Sequence, residues 1–302
     1  MVSAPTHTSI EPPPLASLPA ERAQLEYSSR SLVFAHDGTR LLRAWGPPER
    51  PWVLAVEPRG RRWSIDAWGA GPREARVAVR ALFSLGHSLA SFYRLTRREA
   101  VLAGTERRFR GLRLPRDASV YESLLHAVIG QQLSVHAALS IQRRLFEKTC
   151  SVIVADGIEV PSVPPPTTLR ALGEEGLRST GLSGAKSRAI LGLAAPATRP
   201  LLDDPALARI PPEQAIERLV ELRGVGRWTA ENALLRGTGR TDVFVAGDLG
   251  IRVALAEYGV VPRGAAEEEA RVWADRWYPG WGSYATLYLW RRLVADQSAS
   301  AG

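Results

Sequence analysis

The chain has 302 residues, 45% of them hydrophobic, and a single cysteine, Cys150, which excludes wholesale disorder, an intrachain disulfide, a multi-cysteine zinc site and a four-cysteine iron–sulfur cluster. The formal net charge is +8, and all but two of the 39 basic residues are arginine; this suggests an anionic partner such as nucleic acid, with the arginine usage of a GC-rich genome as the lesser reading, and the two can both hold. No run of about 20 apolar residues reads as a membrane span and no signal-peptide pattern opens the chain, so a reducing bacterial cytoplasm, with nucleoid association, is the expected location.

Taken in chain order, residues 1–25 are rich in Pro, Ser and Thr and read as a flexible tail. From Ser31 to Trp68 the short stretches SLVFA, RLLRAW, WVLAVEP and WSIDAW are apolar or alternating, with DG, GPP and RG breaks between them. They predict an antiparallel sheet. PREARVAVRALFSLG (72–86) has the spacing of a helix laid on that sheet, completing an N-terminal α/β module over 26–110. From 111 to 296 the pattern turns helical: a long stretch over 120–148 with a break at Gly130, two short helices around GLSGAK, and then a helix, a glycine hairpin and a second helix over 211–237. GDLGIRVALAEYG, AAEEEARVWADRWYPG and SYATLYLWRRLVA close the chain. The fold class expected is α+β, an N-terminal antiparallel sheet with its helix followed by a mostly helical core.

In LRGVGRWTA (222–230) two glycines one residue apart join amphipathic helices. The residues alone fit an ordinary bend, or a turn whose backbone N–H groups converge on an anion such as a DNA phosphate. Asp248, in DVFVAGDLGIR, fits the N-cap of the helix that follows it. His87, His126 and His136 make no metal-ligand spacing, and no metal is expected from them.

Five segments in order carry a family likeness: ALFSLGHSLASFYRL (81–95), HAVIGQQLSVHAA (126–138), GLSGAKSRAI (181–190), LRGVGRWTA with DVFVAGDLGIR, and WYPGWGSYA (277–285). Together they resemble the helix–hairpin–helix DNA glycosylase superfamily, in its alkylbase branch of 3-methyladenine DNA glycosylase II, over roughly residues 30–295. The resemblance implies a monofunctional base excision repair enzyme that flips an alkylated purine out of double-stranded DNA and hydrolyses its N-glycosidic bond. Asp248 falls at the catalytic position and would stabilise the oxocarbenium-like transition state; Asp242 is the competing carboxylate and reads as a turn residue. Trp228 stands where bifunctional relatives carry a Schiff-base lysine. Trp228, Leu249 and Trp290 would line the base pocket, while Trp273, Trp277 and Trp281 read as core. Gly224, Val225, Gly226, Arg227 and Thr229 would grip DNA at the hairpin, Lys186 would add a contact, and Gln132, or Leu133, would fill the gap left by the flipped base. No cofactor is required, although the resemblance implies a monovalent cation held by backbone carbonyls at the hairpin turn. A monomer is expected.

The chain also departs from the family pattern. Gly282 stands where members often have Arg, Gly247 where they often have a second aspartate, and Asn232 and Leu249 where some carry aromatics. Two rival readings use the same features: a non-catalytic helix–hairpin–helix DNA-binding or damage-sensing protein, and a glycosylase for another damaged base.

Overall fold

The computed structural model describes residues 4–13, 16 and 34–300. Five strands, β1 (Thr6–Ile10), β2 (Phe34–His36), β3 (Leu41–Trp45), β4 (Trp52–Arg59) and β5 (Arg62–Trp68), form one antiparallel sheet in the order β1-β5-β4-β3-β2. β1 corrects the expectation of a flexible tail over its own five residues. It pairs with β5 from Thr6↔Ala67 to Ile10↔Trp63, and Ile10 is buried. THTSI has the β-branched alternation of an edge strand, which the surrounding prolines obscure. The rest of the tail, except residues 4, 5, 11–13 and 16, lies outside the described residues, as do Ser31–Val33 of SLVFA.

β4 is buried on both faces, so its Val53–Val56 run is continuously apolar instead of alternating. On one face Leu54, Val56, Trp63 and Ile65 pack against Ala75, Ala78, Val79 and Leu82 of α1 (Pro72–Leu82). On the other, Leu42, Ala44, Val53, Ala55 and Trp68 meet Ala155 and Val160 of a hairpin, β6 (Val152–Ala155) and β7 (Ile158–Pro161). That hairpin lies inside the helical half and was not anticipated. Its signal is Asp156–Gly157 between apolar runs, with φ of 53° and 77°, the left-handed pair that matches strand twist.

The remaining chain is helical: α2 (Ala90–Thr96), α3 (Ala100–Arg108), α4 (Val120–Gly130), α5 (Val135–Thr149), α6 (Pro166–Arg178), α7 (Gly184–Leu193), α8 (Asp204–Arg209), α9 (Pro212–Val220), α10 (Arg227–Ala233), α11 (Leu249–Glu257), α12 (Glu267–Trp277) and α13 (Gly282–Ser300). The break at Gly130 and the helix pair around GLSGAK fall where the sequence puts them. Two apolar cores result. One gathers α4–α10; the other gathers α2, α3 and α11–α13 and includes Trp273. They meet at α10 and the extended segment 243–246: Ala230, Ala233, Leu234 and Val243 belong to the first core, Leu235 and Phe244–Ala246 to the second. The sheet is tied to the helices by a buried ion pair between Arg43 on β3 and Glu122 on α4.

Candidate functional site

The hairpin between α9 and α10 owes its shape to Gly224. Its φ is +80°, and a Cβ there would lie 2.6 Å from Cβ of Ala189 on α7, so both angle and space demand glycine. Gly226, in contrast, is extended at φ −87° and faces open space, directly before the first turn of α10. Helix geometry leaves the first N–H groups of such a turn without intrahelical acceptors. The side chains expected to grip DNA are mostly committed elsewhere. Val225 is buried in the core, Thr229 is 1% exposed, and Arg227 donates to Glu213 at 2.6 Å and to the buried Glu231 at 2.9 Å. What the hairpin offers outward is its backbone.

The loop between α4 and α5 is fastened to this hairpin by Gln131, a residue that sequence reasoning missed. Its Nε2 donates to Gly224 O at 3.0 Å and to Thr229 Oγ1 at 2.9 Å. Lys186, expected to touch DNA, is half-buried and donates to Ile129 O at 2.8 Å and Gln131 O at 2.7 Å, so it satisfies the end of α4 and clamps the loop. Burial pulls its ammonium pKa down. At the loop apex Gln132 is exposed in a left-handed conformation, φ +55°, and Leu133 beside it is exposed. Nothing in a Gln–Gln pair says which member turns inward; the positive φ of the second does.

Asp248 caps α11. Its Oδ1 accepts the Ile251 N–H at 3.0 Å, the side chain is half-buried, and among the described residues no cation pairs with it. Asp242 is different: Arg240 holds both its oxygens, at 2.6 and 2.9 Å, and is itself anchored on the Leu207 and Ile210 carbonyls. Of the two carboxylates only Asp248 keeps an oxygen open. The turn carrying it lies against Trp228, since a Cβ at Gly247 would come within 3.3 Å of Trp228 Cβ. The same point is 3.1 Å from Oε1 of Glu267, in the first turn of α12, a second carboxylate that the sequence did not single out. Trp228 and Trp290 are half-buried and pack on the same core; the Arg236 guanidinium lies 5.2 Å from the Trp290 ring centroid. Asn232 donates to Trp228 O at 3.1 Å, within α10. Leu249 is 68% exposed and borders a cavity of about 370 Å³ that also takes in Arg252, Val253 and Arg263. A larger cavity of about 480 Å³ is lined by other elements, among them Tyr121, Asp203 and Asp204, and includes none of these site residues.

Asp117, Glu122 and His126 form a buried group whose candidate ligand atoms lie within 4.8 Å of one another, which spacing in the sequence did not suggest. Glu122 is taken by Arg43 and by the Ala118 N–H, and Asp117 by the Ser123 hydroxyl, so the two carboxylates serve the seam between sheet and helices. Among the described residues no helix is long and apolar enough to cross a membrane.

The model of the HhH-GPD superfamily base excision DNA repair protein matches residues 125–279. The chain is 28% identical over 211 residues to a DNA-3-methyladenine glycosylase of Bacillus subtilis (strain 168), covering 70% of this chain and 69% of that one. It is 32% identical over 180 residues to DNA-3-methyladenine glycosylase 2 of Escherichia coli (strain K12), 60% of each chain. The solved 3-methyladenine DNA glycosylase from Archaeoglobus fulgidus superposes with a TM-score of 0.82 over 95% of this chain and 98% of that one, at 23% identity, a likeness of fold. With half of its length matched from α4 to the end of α12, across the hairpin and the Asp248 turn, the chain belongs to the HhH-GPD superfamily of base excision DNA repair proteins.

Proposed function

We propose that the protein hydrolyses the N-glycosidic bond of alkylated purines in double-stranded DNA, with Asp248 as the group that stabilises the transition state. The observation that carries this reading is the open oxygen of Asp248, on a turn packed against Trp228, while Asp242 is neutralised by Arg240. Two relatives named 3-methyladenine glycosylases support the substrate class.

The chemistry needs little else. A purine alkylated to a cation leaves as a neutral base and takes the electron pair of the bond with it. Positive charge then builds on the sugar, where a fixed carboxylate in a water-poor site stabilises it more than solvent would. Water adds to the anomeric carbon and gives up a proton, leaving an abasic site. Trp228 offers a π face to the electron-poor base, an attraction of about 0.5–2 kcal/mol. It has no amine to form a Schiff base, which favours a monofunctional enzyme that leaves the strand uncut. The hairpin backbone and the Gln132–Leu133 apex are assigned to the DNA backbone and to the gap in the duplex.

Base release from methylated duplex DNA by wild type and Asp248→Asn tests this. The variant keeps the oxygen that accepts the Ile251 N–H, so the fold and duplex affinity are retained while 3-methyladenine and 7-methylguanine release falls by about 10²–10³. Release near the wild-type rate would remove Asp248 from the mechanism. No release by wild type, with duplex binding intact, would favour a damage sensor.

A further inference from the structure

Glu267 is the feature of the site that the reading above leaves unused. It lies 20 positions beyond Gly247 in sequence, in the first turn of α12, yet its Oε1 is 3.1 Å from where a Cβ of Gly247 would stand. That same point is 3.3 Å from Trp228 Cβ, so the carboxylate of Glu267 and the root of the Trp228 side chain both border the turn that presents Asp248. The fit depends on glycine at 247: any side chain there would press on both. The neighbouring Glu269 is used differently, accepting the Ala266 N–H as a helix cap at 2.7 Å. Glu267 makes no ion pair among the described residues, and the nearby cation on its own helix, Arg271, is given to Glu231 at 2.9 Å. An exposed, unneutralised carboxylate thereby lies beside Gly247, the residue before Asp248, on the turn that packs on Trp228.

We propose that Glu267 is a specificity-determining residue that selects nucleotides carrying positive charge. This rests on the reading of the site given above. Two carboxylates flank the turn, so a cationic purine, or a cationic sugar, meets two negative charges where a neutral nucleotide gains little from the second. Glu267 thereby favours bases quaternised by alkylation over neutral lesions of similar shape. Asp248 serves the charge that develops in the reaction, whereas Glu267 serves the charge the substrate already carries.

The test compares wild type, Glu267→Gln and Glu268→Gln in two readouts. The first is release of 7-methylguanine, cationic while bonded to the sugar, against hypoxanthine, neutral in the same position. The second is affinity for duplexes carrying a pyrrolidine abasic analogue, protonated at neutral pH, against the uncharged tetrahydrofuran analogue. Glu267→Gln is expected to lower the cation-over-neutral preference about three- to tenfold in both, with the neutral partner and the melting temperature unchanged. Glu268→Gln, which removes the same charge one residue away, should leave the preference intact. The inference is overturned if the wild type shows no preference for the cationic member, if Glu267→Gln weakens both members equally, or if Glu268→Gln does the same as Glu267→Gln. A wild type that releases no base yet prefers the pyrrolidine duplex through Glu267 would refute the proposed activity and leave this inference standing.

Discussion

Replacing Gly224 by alanine probes the junction on which the site is assembled. Two penalties apply. A non-glycine residue at φ +80° costs about 1–2 kcal/mol. The new methyl would also sit 2.6 Å from Ala189 Cβ, which is fixed to the backbone of α7 and has no rotamer to retreat into. Overpacking of this kind costs about 1–3 kcal/mol. The total, about 2–5 kcal/mol, corresponds to a fall in Tm of about 3–8 °C for a chain of this size. Urea unfolding followed by far-ultraviolet circular dichroism measures it, and Gly226→Ala is the internal control. That glycine is extended with no atom within 4 Å of its Cβ, so its replacement should change stability by less than about 0.5 kcal/mol. Its methyl does stand before the first turn of α10, and duplex affinity should fall. A cycle with Ala189→Gly separates the two penalties: the pair should recover the steric part, about 1–3 kcal/mol, and leave the angular part. A loss below about 1 kcal/mol in Gly224→Ala, or no coupling to position 189, would refute the account of this turn.

Two further predictions concern buried charge. Arg43→Met should cost about 3–5 kcal/mol by stranding the Glu122 carboxylate, and adding Glu122→Gln should recover at least half, because the amide oxygen still accepts the Ala118 N–H; a single-variant loss under about 1 kcal/mol in urea unfolding would contradict this. In acid, His87 and Asp204 act in opposite senses. Burial, with Arg113 and Arg116 nearby, holds His87 down at about 4, so the unfolded chain takes up its proton first and stability falls as pH drops from about 6.5 to 4. Burial raises Asp204 to about 6, so the folded chain takes up that proton first and stability gained below 3.8 is lost as pH rises through 6. Each is worth about 2–3 kcal/mol and they largely cancel between pH 4 and 6. His87→Gln should therefore raise, and Asp204→Asn lower, stability at pH 5 relative to pH 7.5; denaturant titrations at the two pH values showing no divergence would sink this account.

What the sequence determined by itself is what chemistry within a few residues can specify. The glycines of LRGVGRWTA mark a hairpin because only glycine tolerates the backbone angle at 224, and Asp248 marks a helix start because its carboxylate reaches the N–H three residues on. The sheet strands, α1 and the break at Gly130 follow from periodicity in the same way. β1 was missed because prolines outweighed a five-residue alternation, and the β6–β7 hairpin because its partner surface is the far face of a sheet about a hundred residues earlier. The tertiary structure alone decided who meets whom. Lys186 lies 55 positions from the Gln131 carbonyl it clamps, and Gln131 lies 93 from the hairpin it fastens. The hairpin residue Arg227 is drawn off by Glu213 and Glu231. Glu267 is one of three exposed acids at a helix start, as the sequence suggests, and only the return of α12 brings its carboxylate up to Gly247, beside Asp248. Local rules fix backbone angles and helix ends; which distant charges become partners depends on the path of the whole chain.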